Sequence, residues 1–248
     1  TIVVQSDGRI LVGGGFTNLG GQAHSRIGRF NADGSVDNTF TNGVDNSMSL
    51  AIQPDGKILV GGYFTNLAGQ ARSSIGRLTT PDAAIQSLTV DDGGTSAAWR
   101  RGGAGPEVWR TTLETSTNGT EWTTNIVAGT RTTNGWVFAG LNLPFNQAGW
   151  VRARGYAVGG WVNGSHSIIE SVRMFYLKSV EVDNGSGASN VTATSATLCG
   201  NLISTGGAPT TVMVCWGPTD GGTNSGSWSN VVNVGILPVG AFSTNIAG

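Results

Sequence analysis

Short apolar runs punctuated by glycine turns set the pattern from the first residues. Val3 to Gln5 leads into Asp7-Gly8, Ile10-Leu11-Val12 stops at Gly13-Gly14, and Ile27 to Phe30 precedes Asn31-Ala32-Asp33-Gly34. Asp-Gly between two extended runs specifies a tight hairpin, because the turn needs positive φ. The unbroken triplet Ile10-Leu11-Val12 predicts a strand buried on both faces. Leu50 to Gln53, Asp55-Gly56, Ile58-Leu59-Val60, Gly61-Gly62 and Ile75 to Leu78 then run through the same order again.

The recurrence is a tandem copy. Residues 5–30 read QSDGRILVGGGFTNLGGQAHSRIGRF and residues 53–78 read QPDGKILVGGYFTNLAGQARSSIGRL, with 19 of 26 positions identical at an offset of 48. Three or four strands per 48 residues matches a propeller blade. Phe16 and Phe64 are expected to plug the core between units.

The unit resembles the delta-60 repeat family, through Gln53–Asn66, Ile75–Leu78 and Asn31–Phe40. That resemblance implies a secreted or surface-anchored bacterial protein with propeller-like repeats. After Leu78 the second copy reads TTPDAAIQ where the first reads NADGSVDNTF, so the array stops there. A propeller typically needs about 4–8 blades, so further blades before Thr1, or blades from other chains, are expected to cover the two units.

From residue 83 the pattern changes. Gln86–Val90, Ser96–Arg100, Val108–Thr115, Glu121–Val127, Trp136–Leu141, Trp150–Ala157 and Ile168–Tyr176 predict seven strands, separated by turns such as Asn118-Gly119 and Asn134-Gly135. That density reads as an antiparallel sandwich. Val151, Ala153 and Gly155 alternate with Arg152, Arg154 and Tyr156, one face inward and one solvated. The approach from Leu141 to Arg152 resembles strand F of a fibronectin type III-like sandwich, with a Trp in place of the corner Tyr. Residues 188–198 resemble strands A and B of a second such module, with C over Thr210–Trp216 and C′ and E over Val231–Val234 and Phe242–Ile246; strands F and G are missing. The expected fold is all-β: repeats over 1–82, a fibronectin type III-like sandwich over 83–178, and an incomplete one over 179–248. Completion of that last module by strand exchange with a neighbouring chain is an alternative to a longer polypeptide.

Composition sharpens this picture. Charged residues are 12% of the chain and glycine is 40 of 248 residues. Net charge is −1, with no basic stretch, which argues against a nucleic-acid or anionic-membrane surface. No apolar run is long enough to span a membrane. No signal peptide is visible at Thr1. No nucleophile elbow or phosphate loop stands in the sequence, so a non-enzymatic role is expected. Glu107, Glu114, Glu121 and Glu170 have no spacing that selects an acid–base pair, and His24 and His166 sit apart in polar stretches. Parity places Cys199 and Cys215 outward on opposed sheets, against a disulfide. Calcium is the candidate inorganic partner, through Asp33, Asp37 and Asp45. Six of the eight Trp lie in the middle module. Trp109 and Trp122 fit interior or rim positions; Trp136, Trp150 and Trp161 are the candidate glycan contacts if their rings are exposed, since exposed rings stack on sugars, with core and rim packing as the alternative. The function expected is a structural or adhesive segment of an extracellular or cell-surface bacterial protein. Its partners would be other copies or modules of the same protein, with glycan binding or filament assembly as alternatives.

Overall fold

The computed structural model describes residues 1–46, 49–123, 126–159 and 165–247. The fold is all-β, with one 3-10 turn at Ser225–Ser227 among the described residues. Two compact units form: one of residues 1–91, 96–141 and 149–175, the other of 92–95, 142–148 and 176–248. The repeats and the middle sandwich therefore share a unit.

Each repeat is a three-stranded antiparallel sheet with a two-strand hairpin beside it. The first contains β1 (Ile2–Val4), β2 (Ile10–Gly13) and β5 (Ile27–Phe30), ordered β1-β2-β5, with β3 (Asn18–Leu19) and β4 (Gln22–Ala23) as its hairpin. The second contains β6 (Ser49–Ile52), β7 (Ile58–Gly61) and β10 (Ile75–Leu78), ordered β10-β7-β6, with β8 (Asn66–Leu67) and β9 (Gln70–Ala71). The hairpins were not legible as strands, because two residues per arm carry no periodicity.

The two copies bury opposite faces. In the first repeat Val3, Leu11 and Arg29 pair across the sheet and are buried, while Ile2 and Val4 are exposed. In the second, Leu50, Ile52, Ile58 and Val60 are buried, and Ala51, Ile75 and Arg77 are exposed. Ile27 is 1% exposed and its counterpart Ile75 is 69% exposed. Each triplet is thus fully covered on one face only, a departure from the expected burial on both. One core joins the copies, from Val3, Leu11 and Ile27 to Leu50, Ile58 and Val60, with Phe40 and Val44 of the linker in it. Phe64 is buried there, and Phe16 is half-buried.

The glycine between the Ile and Arg of each third strand makes room for the hairpin. A Cβ on Gly28 would lie 2.5 Å from Leu19 Cδ2, and one on Gly76 would lie 2.3 Å from Leu67 Cδ2. The linker supplies an ion pair instead. Arg29 Nε donates to Asp37 Oδ2 at 2.7 Å, and Nη2 lies 2.7 Å from the same oxygen. Arg29 lies over the Phe40 ring, 5.1 Å from its centroid. Its Nη1 is 3.0 Å from Asp82 Oδ2, out of hydrogen-bond alignment, and Arg9 Nη1 donates to that oxygen at 2.5 Å.

The middle sandwich has two four-stranded antiparallel sheets. One holds β11 (Ala84–Val90), β12 (Ser96–Gly103), β16 (Gly135–Ala139) and β15 (Thr130–Thr132), in that order. The other runs β14 (Val127–Ala128), β13 (Arg110–Ser116), β17 (Ala148–Gly159), β18 (Ser165–Tyr176). Residues 121–123, expected as strand, form none: Asn118 Oδ1 accepts from the amides of Thr120 and Glu121, holding the chain in its turn. Gln5 Nε2 donates to Ala104 O at 3.1 Å and Glu107 N to Val4 O at 3.0 Å, fastening the first repeat to this module.

In the second unit β21 (Ser195–Thr205) is central, with β19 (Val180–Asp183) and β20 (Ala188–Ser189) on one edge and β24 (Gly240–Ala247) on the other. β22 (Thr210–Trp216) and β23 (Asn230–Leu237) form a separate hairpin. Leu202 and Val212 are buried, yet Phe242, Ile246, Val214 and Trp216 are only half-buried. Cys199 and Cys215 are half-buried free thiols. No described helix is long and apolar enough to cross a membrane.

Two outcomes follow from this packing. Gly76→Ala is expected to cost about 1–3 kcal/mol, because Leu67 is buried and has nowhere to go. Gly28→Ala is expected to cost less, because half-exposed Leu19 yields; urea unfolding of both variants measures the difference. For Asp37, burial alone raises the carboxyl pKa. Bonds from the Thr39 hydroxyl and amide and from Arg29 override it, leaving the pKa below the ordinary 3.8. The carboxylate's contribution is complete above about pH 4 and is lost as pH falls through that depressed value. Asp37→Asn is expected to cost about 3–5 kcal/mol near neutrality and to flatten the acid limb of a stability–pH curve.

Candidate functional site

The outer face of the β13–β17 pair concentrates the aromatic and charged residues of the middle module. The register sets Arg110 opposite Tyr156, Thr112 opposite Arg154, Glu114 opposite Arg152 and Ser116 opposite Trp150. Thr111, Leu113, Val151 and Ala153 point into the core, so strand alternation places that series outward.

Most charge on this face is internally balanced. Arg152 Nε donates to Glu114 Oε2 at 2.7 Å, and Arg154 Nε donates to Glu170 Oε1 at 2.5 Å. Arg154 Nη1 also lies 3.4 Å from Glu114 Oε2. The Arg152 guanidinium is 4.2 Å from the Trp122 centroid, and the Trp150 ring lies against the turn at Gly119. Arg110 differs. Its guanidinium is 4.3 Å from the Tyr156 centroid and 5.2 Å from that of Trp109, and it forms no ion pair among the described residues.

Of the candidate glycan-contact tryptophans, Trp136 and Trp150 lie on different sheets and do not share a face. Trp136 is 8% exposed: it pairs across the strands with Trp99, on the inward face that also carries Phe138. Trp150 is half-buried on the β13–β17 face. Trp161 lies outside the described residues. Trp109, expected at an interior or rim position, is 56% exposed. It precedes β13 and its amide donates to Tyr156 O at 3.0 Å, so it stands beside the strand pair rather than in its alternation. The position of Arg110 was readable from the alternation around Leu113; the exposure of Trp109 was not.

The calcium candidates are committed elsewhere. The Ser35 hydroxyl and amide bond Asp33 and lower its pKa, and Arg29 and Thr39 occupy Asp37. The Thr65 amide and hydroxyl, with the Asn66 amide, bond Asp45 and lower its pKa. Asp33, Asp37 and Asp45 therefore do not converge, and among the described residues no three His, Cys, Asp or Glu side chains are placed to hold a metal. His24 is half-buried near Gly28, and the side chain of His166 lies outside the described residues. Glu107 pairs with Arg131, and Glu121 accepts from Asn118 Nδ2 at 3.4 Å.

Comparison with known families agrees with the repeat geometry. A family model described as a domain of unknown function (DUF5122) beta-propeller matches residues 5–40 and 53–82. The chain thus carries a propeller-type repeat domain. No curated protein and no solved structure matches it.

These exposures have a spectroscopic readout. Trp109→Phe is expected to lower the fraction of tryptophan fluorescence quenched by iodide, and Trp136→Phe to leave that fraction undiminished. The reverse ranking would place the open aromatic surface elsewhere.

Proposed function

We propose that this chain is a non-enzymatic structural or adhesive segment of a large secreted or cell-surface bacterial protein, joined to its neighbours through its repeats. The carrying observation is the opposite-face burial of the two copies. The outer face of the second repeat, with Ala51, Ile75 and Arg77, has the chemistry that the first repeat buries. The outer face of the first, with Ile2 and Val4, corresponds to the face that the second repeat buries. A head-to-tail contact between such surfaces reproduces the contact already made inside the chain and is heterologous, so it propagates or closes into a ring. The delta-60 resemblance supports a bacterial, extracellular setting. The strand order of the middle sandwich, with its first, second, sixth and fifth strands in one sheet, supports a fibronectin type III-like module.

Two further readings have support of their own. A carbohydrate-binding module is favoured by the exposed Trp109 beside Arg110 and Tyr156. A filament subunit completed by strand exchange is favoured by the half-buried Phe242, Ile246 and Val214 of the second unit.

Sedimentation velocity over a concentration series tests the repeat contact. Species above the monomer are expected to grow with concentration, and Leu59→Glu or Ile75→Glu to abolish them while the urea midpoint of the monomer holds. A monomer throughout the series counts against assembly through the repeats. Antibody labelling of intact, unpermeabilised cells is expected to find the chain outside; labelling only after permeabilisation overturns the location.

A further inference from the structure

We infer that the Trp109–Arg110–Tyr156 end of the β13–β17 face binds an anionic polysaccharide. The guanidinium takes a carboxylate or sulfate and the flanking rings take the sugar. The inference rests on the adhesive reading above and names its ligand class.

Arg110 stands apart from the other arginines stacked on rings. Arg29 is spent on Asp37, Arg101 on the Pro106 carbonyl, Arg131 on Glu107 and Arg152 on Glu114. Arg110 has the rings of Trp109 and Tyr156 and, among the described residues, no acceptor. A guanidinium stacked on aromatic faces keeps its in-plane N–H donors uncommitted, and that fork matches a carboxylate or a sulfate. Arg152 and Arg154 on the same face are neutralised by Glu114 and Glu170, so Arg110 is its open charge.

The surroundings favour a sugar polymer over a peptide. β17 lies between β13 and β18, and β14 pairs with β13 at Thr112 and Leu113, so β17 offers no free backbone edge for strand addition and β13 only a short one. What the face offers is side chains: Trp109 with Tyr156 at one end, Trp150 with Trp122 at the other. Six residues along an extended strand separate Tyr156 from Trp150, about 20 Å. That suits a chain laid flat across the sheet.

The test uses the full chain and polymers of one backbone: carboxymethyl-dextran and dextran sulfate against unmodified dextran, with polyglutamate supplying carboxylates without sugar rings. Titration calorimetry is expected to show binding to one or both charged dextrans, weakening with salt. Dextran and polyglutamate are expected to bind at least about tenfold more weakly, and Arg110→Gln and Trp109→Ala each to weaken binding by about tenfold with unchanged unfolding curves. The two charged dextrans tell carboxylate from sulfate. Equal binding of dextran overturns the anionic specificity and leaves the adhesive reading standing; equal binding of polyglutamate, or full affinity in the Arg110 variant, overturns the site. If no polymer binds while the repeats still self-associate, this inference alone falls.

Discussion

A β-sheet that is apolar on both faces gains stability from cover on each of them, and that constraint governs the repeat part of this protein. Strands β2 and β7 carry the same three apolar residues, Ile-Leu-Val, in the same order. Leu11 is buried in the first and Ile58 and Val60 in the second, because each sheet has its neighbour on a different side. The sequence of one copy therefore encodes two surfaces, and packing them together consumes one from each. This is the nearest-neighbour logic of repeat architectures, in which stability resides as much in the contacts between units as within them.

The polar residues obey the same economy. Arg29 sits in the interior, where a lone cation is costly, and is tolerated because Asp37 in the linker meets it. Its counterpart Arg77 is exposed, with Ile85 where an equivalent of Asp37 would fall. On the middle sandwich the arginines over Trp122 and Trp136 are held by carboxylates, whereas Arg110 is held by rings alone. Stacked but uncommitted cations mark where a surface still has bonding capacity.

Much of the architecture was legible from the residues. The Asp-Gly turns and the apolar triplets located six of the ten repeat strands, and alternation in β17 assigned the faces of Arg152, Arg154 and Tyr156 correctly. The β3–β4 and β8–β9 hairpins escaped because their arms are too short for any period to register. Residues 121–123 read as strand because Trp122 and Thr123 favour it, but the Asn118 carboxamide captured the local amides first. The candidate surface was half visible. Trp136 and Trp150 were both picked out as rings that could be exposed, and the burial of Trp136 was not legible because its cross-strand partner, Trp99, is more than thirty positions away. Which face of each repeat is covered had no sequence signal, since near-identical copies differ only in their neighbours.

The order of pairing also bears on how the chain acquires its shape. Each repeat sheet joins strands that follow closely in the chain, with β1, β2 and β5 all within residues 2–30. The sandwich instead pairs β12 with β16 and β13 with β17, across long intervening stretches. Closing those loops costs entropy before any contact rewards it, so sequence-local sheets form sooner. On an emerging chain the repeats are ready while the sandwich still waits for its later strands, and Val4, Gln5 and Ser6 then offer the module behind them a preformed docking edge.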